Sequence, residues 1–189
     1  MKGLSAKNVL IPAFSLLVVC FVVTALLSFT NKITRPIIDN LEKDKSENTK
    51  KVVLPAATTF KEYEGTEDIF KGLDNSGNII GYVFTTKAKG YGGEMVVMTG
   101  ISNEIKVEGV VILSQNETPG LGANATHDDF RNQFKGDVPS KGFEVVKGNA
   151  SNGKIEAMTG ATISSKAVTE AVNSAIYKFQ SINSVGGAN

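Results

Sequence analysis

One cysteine, Cys20, and one histidine, His127, are the only residues of their kinds in this 189-residue chain. A single cysteine makes no internal disulfide, and it cannot hold an iron–sulfur cluster, which takes about four ligands. The same scarcity argues against a zinc site. Any redox chemistry therefore has to come from an organic cofactor. A surplus of either charge is lacking too: 20 Lys and Arg face 19 Asp and Glu, for a net charge of +1. That balance excludes the basic footprint of a nucleic-acid binder, and an apolar content of 41% excludes a disordered tail. There is no internal repeat and no low-complexity segment. What the chain does have is 19 glycines, some in tight clusters, which favour turns and close backbone approaches over a helical bundle.

One uncharged run stands out. Residues 9–29 read VLIPAFSLLVVCFVVTALLSF, about the length of one bilayer-spanning helix. Pro12 lies near its start, where a first-turn proline does little harm. The run is longer than the apolar core of a cleaved signal peptide and no A-x-A-like site follows, so we read a retained anchor. Cys20 inside it reads as a small lipid-facing or helix-facing residue. Lys2 and Lys7 precede the run, and Lys32, Arg35, Lys43 and Lys45 follow it. Taken literally, that count mildly favours a cytoplasmic domain, but the positive-inside rule weakens for long translocated domains.

The expected organisation is a short tail over 1–8, a transmembrane helix over 9–29, a juxtamembrane helical stalk over 30–55, one domain over 56–183 and a flexible tail over 184–189. Residues 31–36 read as a short link, and Pro55 ends the stalk. The mixed-charge run 43–51 reads as a wet helix face. From Ile79 onward, IIGYVFTT, EMVVMTGI and EIKVEGVVIL are rich in β-branched residues and separated by turn formers, which predicts an antiparallel meander. A short helix is expected over 127–134 after a Thr126 cap, and a strand over 143–147. The clearest helix covers 165–182, where Val168, Ala171, Val172, Ala175, Ile176 and Phe179 recur at spacings of three and four. Strands followed by helices predict an α+β domain, with helices flanking an antiparallel sheet.

The segment EAMTGATISS, 156–165, joins a small-residue loop to the start of that helix. A helix N-terminus offers unpaired N–H groups and partial positive charge. Gly160 and Ala161 permit close approach, and Thr159, Thr162, Ser164 and Ser165 add hydroxyls, so the segment suits a phosphate. A Ser/Thr run before a helix is more often only a cap. Upstream, ETPGLG (117–122) suits a type II turn, with Pro119 second and Gly120 third. An ordinary surface turn explains that string equally well.

Thr159-Gly160-Ala161-Thr162 resembles the last four positions of the flavinylation motif D-x-x-[ST]-G-A-T. That motif marks the FMN-binding domain shared by the RnfG and NqrC families, with Glu156 here in place of the usual aspartate. ETPGLG resembles the same families, and so does KGYGGEM (89–95). The resemblance implies covalent FMN, joined by a phosphoester to Thr162. It places Thr159, Gly160, Ala161, Ser164, Ser165 and Glu156 around the attachment point. Glu117, Thr118, Gly120, Leu121 and Gly122 would border the isoalloxazine ring. Tyr91 would pack near it, with Gly92 and Gly93 approaching closely, although a bent hairpin explains those glycines as well. A threonine hydroxyl is a poor nucleophile without a base, and the sequence shows none beside Thr162. The resemblance therefore implies a magnesium-dependent flavin transferase of the ApbE type as maturation partner, with FAD as donor.

The length resembles RnfG more than NqrC. The implied role is electron carrier in an ion-translocating ferredoxin:NAD+ oxidoreductase complex, with no catalytic residues of its own. Other Rnf subunits and membrane lipid would be its partners, and its domain would lie outside the cytoplasm. Three alternatives stay open: an NqrC-like protein feeding quinone, an anchored flavin domain serving another reductase, and an anchored interaction domain without cofactor. The glycosylation-like triplets at Asn116, Asn124 and Asn149 are short enough to arise by chance, and His127 reads as a solvated residue.

Overall fold

The computed structural model describes residues 6–148, 150–151 and 153–186. The chain divides into one unit ending at Ser46 and another beginning at Glu47. Helix α1 (Ala6–Val53) is continuous over 48 residues, so the expected link at 31–36 is helical. Pro36 removes one backbone hydrogen bond, and the helix on either side propagates past it. In the first unit, Ala13–Lys32 is long and apolar enough to cross a membrane, and none of it is buried in protein. Exposed Phe14, Leu17, Phe21 and Leu26 lie on this stretch, together with Cys20.

The second unit is built on a six-stranded antiparallel sheet whose strands follow chain order: β1 (Thr59–Tyr63), β2 (Thr66–Leu73), β3 (Ile79–Lys89), β4 (Glu94–Ser102), β5 (Lys106–Ser114) and β6 (Gly136–Asp137). Strands β3 to β5 are the expected meander. After β5 the chain makes tight turns around a single-turn helix, α2 (Asp128–Arg131). Thr126 does not cap it; its hydroxyl donates back to the Ala123 carbonyl at 2.9 Å, and His127 takes the cap position without a side-chain bond. Two short strands, β7 (Glu144–Val146) and β8 (Lys154–Glu156), pair in parallel and lead to helix α3 (Thr162–Gly186). This helix starts three residues before its expected bound and includes the beginning of the expected loose tail. Lys2, Asn149 and residues 187–189 lie outside the described residues.

The sheet is covered on both faces. On one, Tyr82, Phe84, Val97 and Ile101 pack with the predicted α3 stripe from Val168 to Phe179. The Phe179 ring meets Tyr82 and Phe84 edge-on at centroid distances of 5.9 and 6.4 Å. Thr86 on β3 donates its hydroxyl to the Ala171 carbonyl of α3 at 2.9 Å, which ties helix to sheet inside the core. On the other face, Val53, Leu54 and Ala57 pack against Val83 and Met98. Gly100 and Gly109 stand opposite each other on β4 and β5 and admit the backbone of Val53. A Cβ on Gly100 would lie 2.1 Å from the Val53 carbonyl oxygen.

The wet helix face expected over 43–51 does not extend to Lys50, which is 4% exposed. Its stem is covered, and its ammonium lies 3.3 Å from the centre of the Phe70 ring and 2.7 Å from the Glu47 carboxylate. The aromatic face and the carboxylate replace the water that the buried cation gives up.

Two outcomes follow from this packing. Gly100→Ala in the full chain should cost roughly 1–3 kcal/mol, because rigid backbone rather than a flexible side chain has to give way; a lowered thermal midpoint of the sheet domain is the readout. At the β2–β3 turn, Asp74 accepts from the Asn78 side chain at 3.0 Å and from the Asn78 and Ser76 amides at 2.8 Å each. These bonds, the Asn78 side chain's foremost, hold the Asp74 carboxyl below its ordinary range. A lowered folded value adds stability above the unfolded value and loses it as pH falls through the folded one. Asp74→Ala should therefore lower the midpoint above about pH 5 and matter progressively less in stronger acid.

Candidate functional site

Three loops form one cleft of about 590 Å³. Tyr91 comes from the β3–β4 corner; Glu117, Thr118, Leu121 and Gly122 come from the segment after β5; Gly160 to Ser164 come from the start of α3. The size is within the usual range for a small-molecule site.

The α3 end is shaped by its own sequence. Gly160, at a φ of +73°, turns the chain out of β8, and the Ala161 amide donates to the Met158 carbonyl at 3.0 Å. The first helical bond follows, from the Ser165 amide to the Ala161 carbonyl at 2.9 Å. Ser165 is fully buried; its hydroxyl donates to the Ala161 carbonyl at 2.9 Å and accepts from the Met158 amide at 3.0 Å. It is a latch for the loop and does not line the cleft. First-turn amides have no acceptor inside a helix, so those of Thr162, Ile163 and Ser164 give this end its partial positive charge. Among the described residues, neither lysine, arginine nor histidine lines the cleft.

The ETPGLG segment forms the expected Pro-Gly turn. Gly120 has a φ of +76°, and the Leu121 amide donates to the Thr118 carbonyl at 3.1 Å. Just before the turn, Glu117 points inward and is 6% exposed. Its Oε1 accepts from the Gly92 amide at 2.8 Å, and its Oε2 accepts from the Ser164 hydroxyl at 2.5 Å. One carboxylate thus joins all three loops.

Tyr91, Glu117, Thr118, Leu121, Gly122, Gly160, Ala161, Thr162 and Ser164 all line the cleft. Gly120 shapes the turn from outside the lining. Gly92 makes its close approach to protein instead: a Cβ there would lie 1.9 Å from the Asn116 carbonyl oxygen. Gly93 opens onto a separate depression with Lys87, Lys89 and Glu94. Glu156 and Thr159 face another depression, beside Asn124, His127 and Asp129. Strand alternation explains Glu156, since Ile155 points into the core and its neighbour must point out. The Gly160 turn then separates Thr159 from Ala161. Sequence reasoning missed Ile163, an exposed apolar wall of the cleft, and the Glu117–Ser164 contact across 47 residues. The place of Ile163 next to Thr162 in the first turn of the helix could have found the first; only the fold reveals the second.

Among the four hydroxyls of TGATISS, Thr162 alone both lines the cleft and is uncommitted. Ser164 and Ser165 are buried and bonded, and Thr159 lies outside. Among the described residues the Thr162 hydroxyl makes no hydrogen bond.

The FMN-binding domain family matches residues 90–177, a stretch that contains every loop of the cleft. The G subunit of the proton-translocating ferredoxin:NAD(+) oxidoreductase complex of Clostridium ljungdahlii is 36% identical, with 86% of each chain covered. The G subunit of the Na(+)-translocating complex of Acetobacterium woodii is also 36% identical, covering 90% of this chain and 93% of its own. The G subunit of the ion-translocating oxidoreductase complex of Methanosarcina acetivorans is 33% identical over 86% of this chain and 89% of its own. Among solved structures, the C subunit of the Na(+)-translocating NADH-quinone reductase of Parabacteroides distasonis shares the fold, with a TM-score of 0.53 at 21% identity, covering 69% of this chain and 88% of that one.

Fold and cleft together define an FMN-binding-domain protein. Within that class, the chain belongs to the RnfG family, the G subunits of ion-translocating oxidoreductase complexes.

Ser165→Ala should leave the half-buried Met158 amide without its acceptor. We expect a cost of about 0.5–1.5 kcal/mol, read as a lower unfolding midpoint.

Proposed function

We propose that this chain is the electron-carrying RnfG component of a membrane-bound ion-translocating ferredoxin:NAD+ oxidoreductase complex, with FMN in the cleft and bonded through its phosphate to Thr162. The observation that carries this reading is the position of Thr162: an unengaged hydroxyl on the first residue of α3, inside the cleft. The cleft fits the cofactor's two halves. The helix end suits a phosphate, and Leu121, Ile163 and Tyr91 offer apolar and aromatic surface for a flat ring.

FMN supplies the chemistry by taking up and releasing electrons; the chain supplies its position and surroundings. The first-turn amides of α3 offset the negative charge that a phosphoester keeps. Glu117, the carboxylate lining the cleft, is engaged by Ser164 and Gly92 rather than by Thr162. Attachment therefore falls to a separate flavin transferase of the ApbE type. In that step a bond forms between Thr162 Oγ1 and the FMN phosphorus of FAD. The pyrophosphate bond breaks, AMP leaves, and the threonine proton passes to a base on the transferase.

The apolar stretch Ala13–Lys32 anchors the chain in lipid, and the sheet domain lies outside the cytoplasm, where the other membrane subunits of the complex are its partners. Two relatives at the same 36% identity carry names with different ions, H+ and Na+, which supports assigning ion choice to other subunits. Likeness to the quinone reductase is at the level of fold, and the names of the RnfG-family relatives favour the ferredoxin:NAD+ assignment.

Thr162→Ala, made in the full chain alongside the transferase, should keep the fold and lose covalent flavin. Peptide mass mapping of the unmutated protein should find the mass of FMN less one water on the peptide containing Thr162. Undiminished flavin fluorescence on the denatured band of the variant would move the acceptor to Thr159 or Ser164. An unmodified Thr162 peptide from cells that hold the transferase would overturn the covalent assignment.

A further inference from the structure

Glu117 is an expensive residue to bury. It is 6% exposed, and none of the ion pairs among the described residues includes it. A buried carboxylate without a cation loses more hydration than neutral donors usually return. Its surroundings are nevertheless built closely around it. A Cβ on Gly90 would come within 2.3 Å of Oε1, and one on Gly122 within 2.4 Å of both Oε2 and the Ser164 hydroxyl oxygen. Glycine backbones thus enclose the carboxylate on two sides. The two bonds it accepts, across 25 and 47 residues, come from the other two loops of the cleft.

We infer that Glu117 is a positioning residue for cofactor attachment: by holding the Gly92 amide and the Ser164 hydroxyl, it fixes the three loops in register and leaves Thr162 as the hydroxyl presented to the cleft. The inference rests on the FMN reading above. Glu117 acts through Ser164, two residues along the first turn of α3 from the acceptor. With the Ser164 hydroxyl committed to Glu117, that side chain stays at the cleft wall with its oxygen engaged and does not compete with Thr162 as acceptor. With the Gly92 amide committed, the corner that carries Tyr91 stays against the ETPGLG segment.

The test uses the full chain, produced with the transferase and purified from membranes. It reads covalent FMN per chain after denaturation, the modified residue by peptide mapping, and the thermal midpoint. Unmutated protein without FMN would defeat the flavin reading itself, which separates that failure from failure of this one. With loaded unmutated protein, Glu117→Ala removes both accepted bonds and should reduce loading about tenfold or more, since the loss of one such bond is already worth about that factor. Glu117→Gln keeps the shape: its oxygen can accept from Gly92 and its amide can donate to Ser164. Loading should return to within about twofold of the unmutated level, because both contacts are retained. A folded Glu117→Ala protein loaded like the unmutated one would overturn the inference, and so would a Gln variant no better than Ala. If Glu117→Ala does not fold, Ser164→Ala decides: it removes the longer-range bond and leaves the carboxylate, and full loading of that variant would overturn the role.

Discussion

The hydrogen bonds to Glu117 are where the separate parts of the site become one object. Loops do not usually hold each other in place, because their backbones prefer water and their side chains vary. Here three of them meet with one carboxylate at the junction, excluded from solvent and bonded to an amide of one loop and a hydroxyl of another. Low local dielectric strengthens such bonds and also raises the penalty for breaking either one. The close glycine contacts follow from the same constraint: a side chain at Gly90 or Gly122 would occupy the volume that the carboxylate needs. The shape of the cleft thus depends on a group that contributes little of its surface.

The junction can be fixed in position only because its supports are rigid. Helix α3 is pinned along its length by Val168, Ala171, Val172, Ala175, Ile176 and Phe179 in the core, and by the buried Thr86 bond to Ala171. Asn173 adds a side-chain clamp, accepting from the Phe143 amide at 2.8 Å and donating to its carbonyl at 2.9 Å. The N-terminus of the helix is therefore located by contacts two and three turns away from it. The opposite sheet face is closed by Val53 and Leu54 over the Gly100–Gly109 pair, so the central strands are covered on both sides. A sheet covered this way has little freedom to shift the two loops that emerge from β3 and β5.

Much of this is legible in the amino-acid sequence, and the limits have physical causes. The α3 stripe, the Pro-Gly turn and the meander are local patterns, each encoded within a dozen residues or so, which is the range over which periodicity and turn chemistry act. Strands β1 and β2 are not legible in this way because they lie toward the sheet edge: Lys61, Glu62, Glu67 and Asp68 are exposed and break the apolar alternation. The signal that remains is the Glu64-Gly65 reversal, where both residues have positive φ. Lys50 reads as solvated because a charge in a mixed run usually is; its cover comes from Phe70, on another strand. The motif draws Glu156 into the site, and strand alternation turns it away. The Glu117–Ser164 bond is a property of the folded chain alone. ETPGLG and TGAT can each be recognised, but nothing within either string says that a carboxylate of one accepts a hydrogen bond from a hydroxyl beside the other.

The composition of the cleft also bears on why a covalent bond suits it. A phosphate placed here would meet backbone amides and a helix dipole, with no cationic side chain among the described residues of the lining. A helix terminus contributes about 0.3–1 kcal/mol at an exposed position and up to about 2 in a partly buried one. That is little to hold a doubly charged phosphate in water. The apolar walls are likewise partly exposed, with Tyr91 at 74%, so they cannot enclose a ring as a deep pocket would. Strong reversible binding would require lysines or arginines at the phosphate, or a closed cover over the ring. The proposed bond to Thr162 would remove both requirements, because retention would then no longer depend on affinity. Under the proposed attachment the ring would stay at an open surface within reach of a redox partner, and the chain would have to keep Thr162 in place, a task that the buried contacts of Glu117 and Ser165 suit.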